Sequence, residues 1–316
     1  VNPDAGRTWH YRDFYRPSGT PPAEQLPLWL VVGNCQAEAL RLVLDAVPDR
    51  PFRTARMPPV HELQGTDLPH LRALLADTAV LLSQPIRQNY RDLPIGTDDM
   101  RAALPPGAQV VRWPVIRYAG LYPFQVIVRH PADRSVTPPV VPYHDLRTVA
   151  AARDGLDVDD TWDVEVPAEA IRAVGDASIA ELARRETRDT DVGVSDVLAG
   201  HGAEAAHTIN HPGNPVLCDL ASRILDSQGV SARPVAPERA LLSSVYAPLE
   251  ERVLRARSLT AQVRPQWRVG QDEITQQSVH TAQLQWYRAN PDYIRLAAER
   301  HGQVMELLGL SAAGVS

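Results

Sequence analysis

Cys35 stands in the run Val31-Val32-Gly33-Asn34-Cys35-Gln36, where an apolar stretch gives way to glycine and amide residues. Leu28–Val32 reads as a buried strand, and beyond it Ala39, Leu40, Val43 and Leu44 recur at helical spacing. A thiol on such a strand-to-helix turn meets free backbone N–H groups and the positive end of the helix dipole. A lowered pKa and a larger thiolate fraction are the expected consequence. The same N–H groups can hold the oxyanion of an acyl-transfer intermediate, while Gly33 lets the backbone approach a ligand and Asn34 and Gln36 add amide donors. A free cysteine is more often a small buried hydrophobe. Gly, Asn and Gln, however, are poor neighbours for an apolar core turn. Cys218, beside Leu217 and Leu220, has the opposite setting and is expected in the core.

A thiolate nucleophile generally needs a base. Among the 10 histidines, His211 lies in the polar turn Asn210-His211-Pro212-Gly213-Asn214 just before a helix, which suits a side chain pointing into a crevice. His207, four residues earlier, is a weaker candidate. The segment Gln84–Arg91 gathers Gln84, Arg87, Asn89, Tyr90 and Arg91. It reads either as a solvated loop or as a polar wall that orients substrate, with Arg87 and Arg91 matching phosphate oxygens. No His, Cys and Asp cluster has ligand spacing, so no metal is expected.

These residues must be positioned by the elements around them. A helix near 68–76, a strand at 78–82 and a third strand at 109–113 repeat the strand–helix alternation, predicting a mostly parallel sheet sandwiched by helices. Ligands bind such sheets at the carboxyl ends of the strands, where both polar segments fall. Residues 1–27 read as an N-terminal arm, and 28–316 as a single α/β catalytic domain. Within it, 130–200, carrying a helix at 167–185, is expected to be a cap over the crevice. Helices follow at 215–228, 249–259 and 275–308, the last broken at Asn290-Pro291; 245–310 closes the chain as C-terminal helices.

Composition removes whole classes of function. All 32 basic residues of the Lys+Arg count are arginine, so a Schiff-base lysine, a phosphate-loop lysine and a lysine base are impossible. Net charge is −6 with no basic run, which disfavours a nucleic-acid partner. With no run of eighteen apolar residues and no charged-then-apolar leader, neither a membrane span nor a signal peptide is expected. Two distant cysteines suit a reducing cytoplasm.

Gly33-Asn34-Cys35-Gln36 after an apolar strand, Ser83-Gln84-Pro85-Ile86 with Asn89-Tyr90-Arg91, and Asn210-His211-Pro212 before a helix together resemble the WcbI-type polysaccharide biosynthesis family. Tyr118-Ala119-Gly120-Leu121-Tyr122-Pro123 is similar to that family's aromatic-proline stretch, and the likeness spans roughly residues 28–230. The resemblance implies an SGNH-hydrolase-like α/β fold, coenzyme A binding and acetyl transfer to a sugar. It places Cys35 where SGNH enzymes carry serine, Asn34 where they carry aspartate, and His211 at the base. Such enzymes have an acid three residues before that histidine; here it is Thr208, so a Cys–His dyad with amide support is expected instead of a triad.

The resulting expectation is an acyltransferase moving an acyl group from coenzyme A to a sugar or other small-molecule hydroxyl or amine. Cys35 and His211 would be catalytic. Gly33, Asn34, Gln36, Gln84, Asn89, Tyr90 and Asn210 would bind oxyanion or substrate, and Arg87 and Arg91 the coenzyme. The alternatives are an esterase or thioesterase of the same architecture, and a non-catalytic protein that binds coenzyme A or sugar.

Overall fold

A computed structural model of the protein describes residues 3–16 and 25–311. Contacts divide the chain into two compact units: Val1–Ile116, Leu182–His201 and Pro212–Leu242 form the first, and Arg117–Glu181, Gly202–His211 and Ser243–Ser316 the second. Residues 130–200, expected as a cap, fall partly in each unit, divided after residue 181. Of the arm expected over 1–27, α1 (Pro3–His10) and the turn after it are described, and 17–24 lie outside the described residues.

The first unit holds the expected parallel sheet. Its strands are β1 (Leu28–Val32), β2 (Arg53–Thr54), β3 (Thr78–Ser83) and β4 (Gln109–Arg112), in the order β2-β1-β3-β4. All neighbours run parallel. Every residue of β1 is buried, as a central parallel strand requires. Helices α2 (Cys35–Asp45) and α3 (Leu68–Ala76) follow β1 and β2. A further helix, Asn214–Ser227, packs on α2 and starts with proline in its first turn, where no N–H is missed. Leu28, Leu30, Val32, Leu81, Leu71 and Leu75 share one core with Met57 and Ile95.

Register positions the polar segments. Val32 pairs with Ser83, and the Gln84 N–H donates to Val32 O at 2.9 Å. The chain leaving β1 at Gly33 therefore runs beside the chain leaving β3 at Gln84. Both are at carboxyl ends, as anticipated.

In the second unit the helices Leu146–Arg153, Gln276–Ala289 and Asp292–Leu307 enclose a core that includes Phe124, Val149, Ile171, Tyr287 and Leu296. The break between the last two falls at Asn290-Pro291, as the sequence indicates. The helix expected at 167–185 runs Ala168–Asp189. Among the C-terminal helices expected over 245–310 stands an antiparallel sheet of Val245–Tyr246, Gln266–Val269 and Asp272–Thr275, which the sequence reading did not anticipate. Its strands, of two and four residues, are too short to show a clear alternation.

Candidate functional site

Cys35 is the first residue of α2, and the turn before it is built from side-chain amides. Asn34 caps the helix: its Oδ1 accepts the Gln36 N–H at 2.9 Å. Its own N–H donates to Gln84 Oε1 at 2.9 Å. Gln36 is fully buried, donating from Nε2 to Ile116 O at 2.8 Å and accepting the Ile116 N–H on Oε1 at 3.0 Å. Gln84, 2% exposed, closes the chain of amides by donating to Gln36 Oε1 at 3.2 Å. Gly33, Asn34, Cys35, Gln36 and Gln84 are thus brought together in the first unit. The amides of Gln36 and Gln84, singled out as substrate ligands, fasten the turn to β3 and to the chain beyond β4.

The thiol of Cys35 is half-buried and free. Burial pushes its pKa up from the ordinary value, against the pull of its own N–H and that of Gln36. The lowered pKa expected from the helix terminus is therefore corrected. Desolvating a thiolate outweighs two backbone donors, one of which Asn34 already engages. Cys218 is also not the core residue expected: it is half-buried on the flank of its helix.

Arg87, Asn89 and Arg91 are exposed on the chain beyond β3, while Tyr90 is half-buried against the first unit's core. Asn89, Arg91 and Asp92 have φ of 50°, 55° and 62°, a left-handed run without glycine that stores backbone strain. Gly96 lets this loop close: a Cβ there would stand 2.8 Å from Gln88 Cα. Neither Arg87 nor Arg91 forms an ion pair among the described residues.

Asn210 and His211 belong to the second unit, His211 opening the two-residue strand His211–Pro212. Thr208, three residues before His211, is fully buried. Its hydroxyl lies 3.0 Å from that of Tyr143 and donates to Asn210 Oδ1 at 3.1 Å. The Tyr143 hydroxyl donates to the same Oδ1 at 2.9 Å. Two hydroxyls on the oxygen turn the Asn210 amide so that its N–H2 faces away from them. Sequence reasoning missed Tyr143, which lies in an unremarkable Pro-Tyr-His run, and nothing local could have signalled it. Among the described residues no group of three or more His, Cys, Asp or Glu could hold a metal, and no helix is long and apolar enough to cross a membrane.

The family model for the polysaccharide biosynthesis enzyme WcbI matches residues 28–233, most of the chain. The chain belongs to the WcbI family. No curated protein matches it. A solved structure of WcbI itself, described as a novel polysaccharide biosynthesis enzyme, superposes with a TM-score of 0.75 over 90% of this chain and 99% of that one, at 18% identity. That structure is described as the native protein without a disulfide bond between coenzyme A and one of its cysteines. At this identity the likeness establishes a WcbI-like fold, including the four-stranded parallel sheet. The WcbI match covers the Cys35 turn, the Gln84–Arg91 segment and Asn210-His211 alike.

Proposed function

We propose that this WcbI-family enzyme is an acyltransferase that takes an acyl group from coenzyme A and passes it to a sugar or another small-molecule hydroxyl or amine. The observation that carries the reading is the placement of the free Cys35 thiol at the head of α2, within reach of the Cys35 and Gln36 N–H groups. The description of a cysteine and coenzyme A together in the WcbI structure supports it.

The residues present fit such a donor. Arg87 and Arg91 are exposed and have no carboxylate partner among the described residues, so their guanidinium forks are available to phosphate oxygens. Coenzyme A, when bound, supplies the acyl group as an activated thioester. Cys35 acts as nucleophile or as part of the oxyanion site, and its raised pKa means that the proton must be taken by a base. His211 is proposed as that base from the family resemblance. Asn34, Asn89 and Asn210 are proposed as amide donors to substrate, and Tyr90 as a wall residue. Gly33 leaves room for the Gln84 amide behind the turn.

The test is intact mass after incubation with acetyl-coenzyme A without acceptor, for the wild type, Cys35→Ala and His211→Ala. An acetyl adduct on the wild type that Cys35→Ala abolishes and His211→Ala slows is the expected result. Release of free acetate without any acceptor dependence would make the protein a thioesterase. Binding of coenzyme A with neither adduct nor turnover, across a range of sugar acceptors, would reduce it to a coenzyme-binding protein.

A further inference from the structure

Two arginines of the second unit, Arg264 and Arg268, converge on one aromatic ring with no acid between them. The Arg268 guanidinium carbon stands 3.9 Å from the centre of the Tyr246 ring, and that of Arg264 stands 5.3 Å from it. The His207 ring approaches the same ring at 4.5 Å. Arg264 is half-buried and held in place: Nε donates to Ala247 O at 2.7 Å and Nη2 to the Tyr122 hydroxyl at 3.2 Å. Among the described residues neither arginine has a carboxylate within ion-pair distance.

Other arginines of this unit are paired. Arg147, Arg252 and Arg257 each meet a carboxylate at 2.6–2.7 Å. The acid opposite Arg268 in the sheet register, Glu273, is exposed and forms no ion pair with it. Like charges gathered on a partly desolvated platform repel one another and call for an opposite charge. The platform is also stiff. Tyr246 and Arg268 are register partners, the Ala247 N–H donates to His207 O at 2.9 Å, and Arg264 bridges Leu249 just before the strand that carries Arg268.

We propose that Arg264 and Arg268, set around Tyr246, form a binding site for a phosphate monoester or diphosphate group. Guanidinium forks match several oxygens of one multiply charged anion, which a single carboxylate would fill less completely. Pyrophosphate binding at the site does not require the reading of Cys35, whereas the coenzyme as its occupant rests on that reading. It fits either the phosphates of the coenzyme or those of a phosphorylated sugar.

Isothermal titration of the full chain with inorganic pyrophosphate tests it. Binding by the wild type is expected, weakened about tenfold or more in Arg268→Gln and in Arg264→Gln. Glu273→Gln, which removes the acid opposite Arg268 in the register, should strengthen it. Cys35→Ala should leave it unchanged whether or not that thiol carries an acyl group. Arg268 is exposed, so its variant retains a sound test should Arg264→Gln fail to fold. No binding by the wild type at millimolar pyrophosphate overturns the proposal, as does unaltered affinity in a folded Arg268→Gln protein. Coenzyme A titrated into the same variants separates the sources: parallel loss assigns the phosphate to the coenzyme, and retained coenzyme binding assigns it to a phosphorylated sugar.

Discussion

A Cβ on residue 33 would stand 2.6 Å from the Oε1 of Gln84, the same oxygen that accepts the Asn34 N–H. Gly33 is therefore glycine because a side-chain amide crosses directly behind the Cys35 turn. Gly33→Ala is expected to destabilise the fold by about 1–3 kcal/mol, the range for overpacking a filled site. Gln84→Ala in the same chain should recover part of that loss, giving a measurable coupling in a double-mutant cycle of denaturant unfolding. Additive losses would mean that the two residues do not press on each other.

Gln36 makes a stricter demand. Its amide meets both the N–H and the C=O of Ile116 from a fully buried position. Gln36→Leu keeps the volume but strands two backbone groups, each costing about 1–3 kcal/mol. A fall in unfolding free energy of about 2–6 kcal/mol is expected on that basis. Gln36→Ala should cost at least as much, because it adds a cavity. Wild-type stability in Gln36→Leu would show that Ile116 finds other partners.

The parts of the fold legible in the sequence were those that declare themselves locally. The continuous apolar runs of β1 and β3 could only be buried strands, and the helical spacing of Ala39, Leu40, Val43 and Leu44 marked α2. The strand β2 was not legible, because Arg53 and Thr54 carry no apolar signal and are held by their pairing with β1. Polarity at Gln36 and Gln84 rightly drew attention to the turn. It could not tell a ligand-facing amide from one turned inward, since that depends on Ile116, eighty residues away. The raised Cys35 pKa was hidden for the same reason: the helix terminus is a local feature, whereas burial is set by the whole unit.

That burial has a kinetic consequence. In a Cys218→Ser background, alkylation of Cys35 by iodoacetamide should be slower at pH 7.5 than that of a free cysteine, whose pKa is about 8.5. The rate should still be climbing above that pH. The sign for stability is the same. A thiol whose folded pKa is raised contributes stability fully below about pH 8.5 and loses it as the pH rises further. Full alkylation rate by pH 7 would show that the thiolate is stabilised after all.

Asp67 ties the N-terminal segment down. It is 2% exposed, accepts from Arg7 Nη2 at 2.8 Å and from the Tyr15 hydroxyl at 2.8 Å, and also takes the Gln64 N–H. These donors hold its carboxyl below the usual range, against the opposing effect of burial. The stabilisation is present above about pH 3.9 and is lost as the pH falls through the lower folded value. Asp67→Asn should release the segment at neutral pH, seen as faster proteolysis near Arg12 and Arg16 with the rest of the chain intact. Unchanged cleavage would assign the anchoring to Phe14, which is buried in the core.

Acid should act on the second unit through its buried histidines. His144 is fully buried with Nδ1 2.5 Å from the Tyr287 hydroxyl, and His280 is 1% exposed with Nδ1 2.9 Å from Thr148 Oγ1. Burial lowers both to about 4. Each is neutral in the folded unit and takes a proton on unfolding below its ordinary pKa of about 6.5. The neutral rings thus contribute stability above pH 6.5, which drains away as the pH falls towards 4. Thermal unfolding across that window should show a falling Tm, with a shallower slope in His280→Gln, where the titrating ring is gone and hydrogen bonding to Thr148 is kept. An identical slope in that variant would place the acid sensitivity elsewhere, and the next group to test would be His144, through His144→Gln.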